Sequence, residues 1–477
     1  MNSFRTNLEN IPFGITENGA NMYESTDNKC LDLFALGAAT RNRSDEDRLA
    51  LFKEAYAENP DMAFQILWYI GDVRNGQGER DFFRICYKWM CEEHPMTAKK
   101  YLDEIPNYKR WDDLVYIGMD LMPNTVGTIV ANQLDKDIHN YLENKSVSLC
   151  AKWLPSINAS SNKTRAMAKR LCKALGIDYK RYRKMLAKLR GYLNIVEKNL
   201  TNRNYKNIDY SQVPSQANIK YHQAFMRNDE DRYSDFIENK ESKMNMTVTY
   251  PYQIVHQIVY NNLDRDVAQK MWDNLPDYLN GDKSNTICVV DTSGSMEGTP
   301  LDVACSLGLY FGERNRGPFK DCYISFSSRP KLVEFANGDI KDKVRKIYGD
   351  NLCENTNIKK VFDLLLEIAK KPATKREDIP ENILIISDME FDYAQEGNFE
   401  SAFDKIKREW KAAGFEMPKL IFWNVDARQN NLPIISGSVS FVSGFSPVIF
   451  KTIITGKQGE ELMQEAIAQY SKFITLD

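Results

Sequence analysis

Across residues 45–260 apolar side chains return every three or four positions, as in LALFKEAYAENPDMAFQILWYIGDV, ERDFFRICYKWMCEEH and RWDDLVYIGMDLM. That is the period of helices with one buried face. The breaks carry turn chemistry, at Asn59-Pro60-Asp61, Asn75-Gly76-Gln77-Gly78, His94-Pro95 and Ile105-Pro106, and they predict short helices joined by short turns. Stacked helix pairs of this kind give an α-solenoid of HEAT-like repeats, although no fixed repeat length separates it from an irregular bundle. After Asn285 the rhythm changes. The runs TICVVD, CYISFS, KLVEF, NILIISD, KLIFWNV and SVSFV alternate with helical stretches from Pro300, Asn357 and Phe399 and near Glu460. This alternation predicts a parallel, doubly wound α/β sheet. The runs at 287–290, 383–386 and 420–425 are apolar enough for strands covered on both faces. The expected layout is an extension over 1–44, a helical domain over 45–284 and an α/β domain over 285–477.

Composition narrows the function classes. The chain of 477 residues is 43% hydrophobic and 27% charged, the usage of an ordinary folded protein. Lys and Arg number 63 against 66 Asp and Glu, a net charge of −3, so a polyanion would have to meet a local patch. No apolar run reaches the length of a signal peptide or a membrane helix, which points to a cytoplasmic protein without a membrane partner. The nine cysteines are scattered and never spaced as Cys-x-x-Cys, which fits reduced thiols. Only four histidines, His94, His139, His222 and His256, are present; dispersed as they are, they read as structural and argue against a zinc site.

The run Asp291-Thr292-Ser293-Gly294-Ser295 directly follows a buried strand and precedes a helix. In an open α/β sheet that is the carboxyl end of a strand, where ligands bind. A tight loop there turns one carboxylate and two hydroxyls toward a common point, and oxygen donors suit Mg²⁺ first, with Mn²⁺ and Ca²⁺ as alternatives. Thr356, just before a helix, offers a third hydroxyl, and Asp388, at the end of NILIISD, a second carboxylate. The plainer alternative is a helix cap. Glu390 and Asp392 read as loop or supporting carboxylates, with an added metal ligand as the alternative. No histidine stands in these loops and no nucleophile–base pair is evident, so no enzyme activity is expected.

From Lys152 to Lys198 there are about thirteen basic residues against two acidic ones, Asp178 and Glu197. Lys163, Arg165, Lys169, Arg170 and Lys173 fall on one predicted helix; Lys180, Arg181, Arg183, Lys184, Lys188 and Arg190 fall on the next. Offsets of three and four residues place several on shared faces, a stripe suited to phosphate backbones. Tyr179 and Tyr182 are interleaved, where they would stack on unpaired bases. The alternative is a solvated helix surface. Trp68, Trp89 and Trp111 read as core. The glycines of Asn75-Gly76-Gln77-Gly78 lack the preceding strand and the Lys-Ser/Thr ending of a P-loop, and read as a turn.

The set Asp291, Ser293, Ser295, Thr356 and Asp388 resembles the metal-ion-dependent adhesion site of von Willebrand factor A domains. Helical repeats with a basic surface followed by such a domain resemble the Ro ribonucleoprotein family and its TROVE module. The runs Arg74 to Arg80, Tyr182-Arg183-Lys184, Val213-Pro214-Ser215 and Asp388-Met389-Glu390-Phe391-Asp392 are similar to an uncharacterised relative of that architecture. The resemblance implies a ring of helical repeats that binds small structured RNAs outside and single-stranded 3′ ends within. It also implies a divalent cation that gains by accepting an acidic group from a protein partner. The expected function is thus non-enzymatic RNA binding. The alternatives are a metal-dependent protein–protein interaction scaffold without RNA binding and, more remotely, a metal-assisted nuclease.

Overall fold

The computed structural model describes residues 13–15, 21–326, 329–349, 358–391, 399–432 and 439–476. The chain divides into two compact units, one of residues 1–66 and 246–469, the other of 67–245 and 470–477. This departs from the expected boundaries at 45 and 285. The described residues before 67 and the helices after 245 fold with the sheet, and the described residues from 470 on fold with the helical unit. Long-range packing, which local periodicity does not report, sets these assignments.

In the α/β unit a short antiparallel pair, β1 (Phe13–Ile15) and β2 (Asn21–Tyr23), precedes the sheet. Among the described residues the sheet has six strands: β3 (Thr286–Asp291), β4 (Cys322–Phe326), β5 (Leu332–Glu334), β6 (Asn382–Ser387), β7 (Lys419–Asn424) and β8 (Val439–Ser443). Their order is β5-β4-β3-β6-β7-β8. Every neighbouring pair is parallel except β4 and β5, which are antiparallel. The sheet is therefore mixed rather than all parallel. The link from Phe326 to Leu332 is too short for a crossover, so the chain turns back on itself. From β3 it winds outward on one side to β5 and on the other to β8, which leaves a switch point between β3 and β6.

All six residues of β3 are buried, as expected for a central strand covered on both faces. The Thr299–Arg314 helix starts after Gly298, whose φ of 90° is easily reached only by glycine. The Lys29–Leu36 helix is capped by Asn28, whose side chain accepts from the Leu31 N–H. It packs on β8, where Ser443 Oγ donates to the Phe34 carbonyl at 2.9 Å.

The helical unit is built from consecutive helices that pack on near neighbours in sequence. Arg80–Glu93 packs on Pro95–Tyr101 and on Trp111–Gly118, and Pro123–Leu142 packs on Asn162–Leu175 and Tyr179–Tyr192. Gly127 permits the close approach to Asn162–Leu175, since a Cβ there would lie 2.7 Å from the Ala174 carbonyl oxygen. Trp68 is the centre of an aromatic cluster. It stacks on Phe473 at 4.0 Å and meets Phe83, Tyr87 and Tyr108 edge-on. Lys109 is buried beside it, with Nζ 3.5 Å from the Phe83 ring centroid and 4.5 Å from that of Trp68. That nitrogen makes no hydrogen bond, and burial pulls its pKa down to about 7. The expected core role holds fully for Trp68, whereas Trp89 and Trp111 are half-buried.

Candidate metal centre and nucleic-acid interface

The parallel register of β3 and β6, in which Val290 faces Ile386, brings the carboxyl ends of both strands together at the switch point. Asp291 ends β3 and Asp388 follows β6; both are buried. The Asp291 carboxylate accepts from the Ser293 N–H at 2.9 Å and from Ser387 Oγ at 2.5 Å. Ser293 Oγ and Ser295 Oγ lie 3.1 Å apart, and Asp388 Oδ1 accepts from the Glu390 N–H at 3.1 Å. Burial, and then the charge of Asp388, raise the Asp291 pKa; burial raises that of Asp388.

Asp388 Oδ2 is buried and accepts no hydrogen bond of ordinary geometry, although the Ser295 hydroxyl lies near enough to ease the carboxylate's pKa downward; Arg428 Nη2 lies 3.6 Å away. Two hydroxyls, two mutually repelling carboxylates and an orphaned acceptor fit a hard divalent cation. Among the described residues no group of three or more His, Cys, Asp and Glu side chains gathers as a metal site, so hydroxyls would have to complete any such centre. Thr356 and Asp392 lie outside the described residues. Glu390 is buried and accepts from Asn431 Nδ2 at 2.8 Å.

Arg428 is a residue that sequence reasoning missed. It follows β7, the next strand along, and its guanidinium donates to the Ser295 carbonyl and, at 2.9 Å, to Asp426 Oδ2. Its loop is held from the N-terminal segment. Arg43 donates to the Ala427 carbonyl at 2.5 Å and to Asn430 Oδ1 at 2.6 Å, and Asn42 donates to Asp426. The Asp426-x-Arg428 pair at the carboxyl end of a strand was the available signal. His256 is a hydrogen-bonded structural histidine, as expected: its Nδ1 lies 2.8 Å from Asp302 Oδ2, and Tyr348 donates to the other oxygen. Of the four histidines only His222 is buried.

In the helical unit the two predicted basic helices form as Asn162–Leu175 and Tyr179–Tyr192, capped by Ser161 and Asp178. Lys169, Lys173, Lys180, Arg181, Arg183 and Lys184 are exposed, and among the described residues none of them has an ion-pair partner. The rest lie against rings or backbone carbonyls. Lys163 lies over the Tyr116 ring and Lys188 over Tyr141. Arg165 donates to the carbonyls of Ala159 and Ser160, and Arg170 pairs with Asp120 and the Met119 carbonyl. Arg190 braces the 151–156 turn through the carbonyls of Ala151 and Leu154 and Ser156 Oγ. Tyr179 is 50% exposed. Tyr182, expected as a stacking ring, is instead fully buried and donates to the Pro155 carbonyl; it shares the inner stripe with Leu186 and Leu189.

Residues 285–473 match the family model described as Domain of unknown function (DUF7788). Residues 16–110 and 176–291 match that described as Domain of unknown function (DUF2828). The chain is similar to Uncharacterized protein L728 of Acanthamoeba polyphaga mimivirus, 28% identical over 497 residues, covering 94% of this chain and 86% of that one. Among solved structures it is similar to the Ro (RSR) protein of Deinococcus radiodurans at 12% identity and a TM-score of 0.37, over 94% of this chain and 100% of that one. Among the described residues no helix is long and apolar enough to cross a membrane.

Proposed function

We propose that this chain is a non-enzymatic RNA-binding protein whose helical unit, read as an α-solenoid, holds small structured RNA or a single-stranded 3′ end. The observation that carries the reading is the set of exposed, unpaired cations Lys169, Lys173, Lys180, Arg181, Arg183 and Lys184 on two successive helices. Cations without intramolecular partners are available for phosphates, and Tyr179 among them offers a ring to an unpaired base. The α/β unit is read as a von Willebrand A-type docking domain. Asp291, Ser293, Ser295 and Asp388, with Thr356, would hold Mg²⁺, leaving it electrophilic toward an acidic group of a protein partner.

Changing Lys180, Arg181, Arg183 and Lys184 together to glutamate tests the RNA assignment. RNA affinity should fall at least about tenfold with a shallower salt dependence; an unchanged affinity in a folded variant refutes it. Binding without cleavage in Mg²⁺ or Mn²⁺ is the outcome that separates this reading from a nuclease.

A second reading, a metal-dependent protein interaction scaffold, is favoured by one feature. Leu134, Ile138, Leu175, Ile177 and Met185 line a groove bordered by Lys180, Lys184 and Lys188 and by Asp135 and Asp178, a shape suited to an amphipathic segment. RNA-free protein bound to such a peptide, with no RNA affinity, would move the assignment there.

A further inference from the structure

A cavity of about 570 Å³ opens in the helical unit beside the Trp111–Gly118 and Asn162–Leu175 helices, with Tyr116, Lys152, Trp153, Lys163, Met167 and Glu197 in its lining. That volume suits one small ligand. The charged groups on its wall sort into spent and unspent. Arg84 pairs with Asp113 and Asp81, Asp112 takes Arg80 and Arg110, and Arg190 is committed to the 151–156 turn. Lys152 and Lys163 have no anionic partner among the described residues; their ammonium groups lie 5.3 Å from the Trp153 centroid and 5.4 Å from that of Tyr116.

Two further observations define the ligand. The Arg110 guanidinium, which is not part of the lining, covers one face of Trp153 at 4.0 Å, while the same ring borders the cavity. Arg110 thus fixes the Trp153 ring at the cavity wall, and a planar group that enters would stack there by moving the Lys152 ammonium, 5.3 Å from the ring centroid, aside. Glu197 Oε2 is buried and accepts no hydrogen bond, which is costly unless a ligand supplies the donors. A carboxylate is acceptor-only. Guanine presents two adjacent donors, N1–H and N2–H, to such a pair of oxygens, whereas adenine and cytosine offer one amino group and uracil a single N–H.

We infer that this cavity holds one guanine nucleotide, the base against Trp153 with its N1–H and N2–H donating to Glu197, and the phosphate met by Lys152 and Lys163. Its form as an unpaired residue of RNA rests on the RNA reading above; as a free nucleotide site it does not.

The test is calorimetric titration of the full chain with GMP, AMP and UMP and with the tetranucleotides UGUU and UUUU. GMP should bind more tightly than AMP or UMP, and UGUU more tightly than UUUU, by about tenfold, the discrimination of one bidentate base contact. Glu197→Gln should erase the preference while leaving the weaker, salt-sensitive binding. Trp153→Phe should remove the tryptophan quenching that accompanies the guanine ligand. UGUU bound far more tightly than GMP identifies RNA as the source; equal affinities identify the free nucleotide; both support the site. Absence of a guanine preference, or a preference intact in Glu197→Gln and in Glu197→Ala, overturns it. RNA binding that persists without guanine preference removes the pocket and keeps the RNA reading. GMP binding without RNA affinity does the reverse.

Discussion

Replacing Lys109 by methionine should stabilise the protein, by an amount that depends on pH. The lysine is buried against Phe83 and Trp68, its nitrogen has no hydrogen bond, and its pKa falls from the ordinary 10.5 to about 7 because burial outweighs the attraction of Asp72 and Asp113. Both carboxylates are already engaged, Asp72 by Tyr470 and Asp113 by Arg80 and Arg84. Unfolding therefore takes up a proton between about pH 7 and the ordinary lysine range, and the lysine's penalty is full below that window and fades as pH rises through it. A drop of that size corresponds to roughly 5 kcal/mol at 1.36 kcal/mol per pKa unit. The contacts with the rings return up to about 2 kcal/mol, leaving a net gain of roughly 3 kcal/mol for Lys109→Met at pH 7.

Urea melts of both proteins at pH 6, 7, 7.75 and 8.5 measure it. The difference cancels the other titrating groups, and it should shrink by about 1–2 kcal/mol between pH 7 and 8.5. RNA affinity should not change, since Lys109 is buried. A variant no more stable than the parent at pH 7, or a difference independent of pH, refutes the reasoning.

Three further outcomes follow from the candidate metal centre. Asp388→Asn removes one of two repelling buried carboxylates, so in EDTA it should raise the melting temperature by roughly 2–4 °C, about 1 kcal/mol, and Mg²⁺ should stabilise the parent but not the variant. Asp291→Ala should weaken cation binding at least about tenfold by calorimetry; an unchanged affinity means that the ion binds elsewhere. Arg428→Gln withdraws a partly exposed positive charge from 3.6 Å of Asp388 and should tighten cation binding roughly three- to tenfold; a weaker ion affinity would instead make Arg428 a support of the site.

The α/β alternation was legible because β3, β6 and β7 are unbroken apolar runs, and the Asp-x-Ser-x-Ser loop was legible because it adjoins one of them. Asp388 was found by the same logic, at the end of the neighbouring strand. The antiparallel β5 was not, since its three residues carry an exposed-buried-exposed pattern that fits either direction. Arg428 and its braces Asn42 and Arg43 are separated by more than 380 positions, beyond any local signal. In the basic segment charge picked out the two basic helices but not which of their guanidiniums are free. Arg190 and Arg165 are consumed by backbone carbonyls, a commitment visible only in three dimensions. The burial of Tyr182 was readable, because Leu186 and Leu189 recur at its helical spacing.

The most direct test of the central claim is the affinity of the purified chain for a structured RNA with a single-stranded 3′ tail, across a salt series and beside a DNA of matched length. If all six exposed cations reach phosphates, the logarithm of affinity should fall linearly with that of salt with a slope of about −4, at roughly −0.7 per contact for single strands, and RNA should be preferred. Weak binding without preference and with a flat salt dependence would contradict the RNA-binding account.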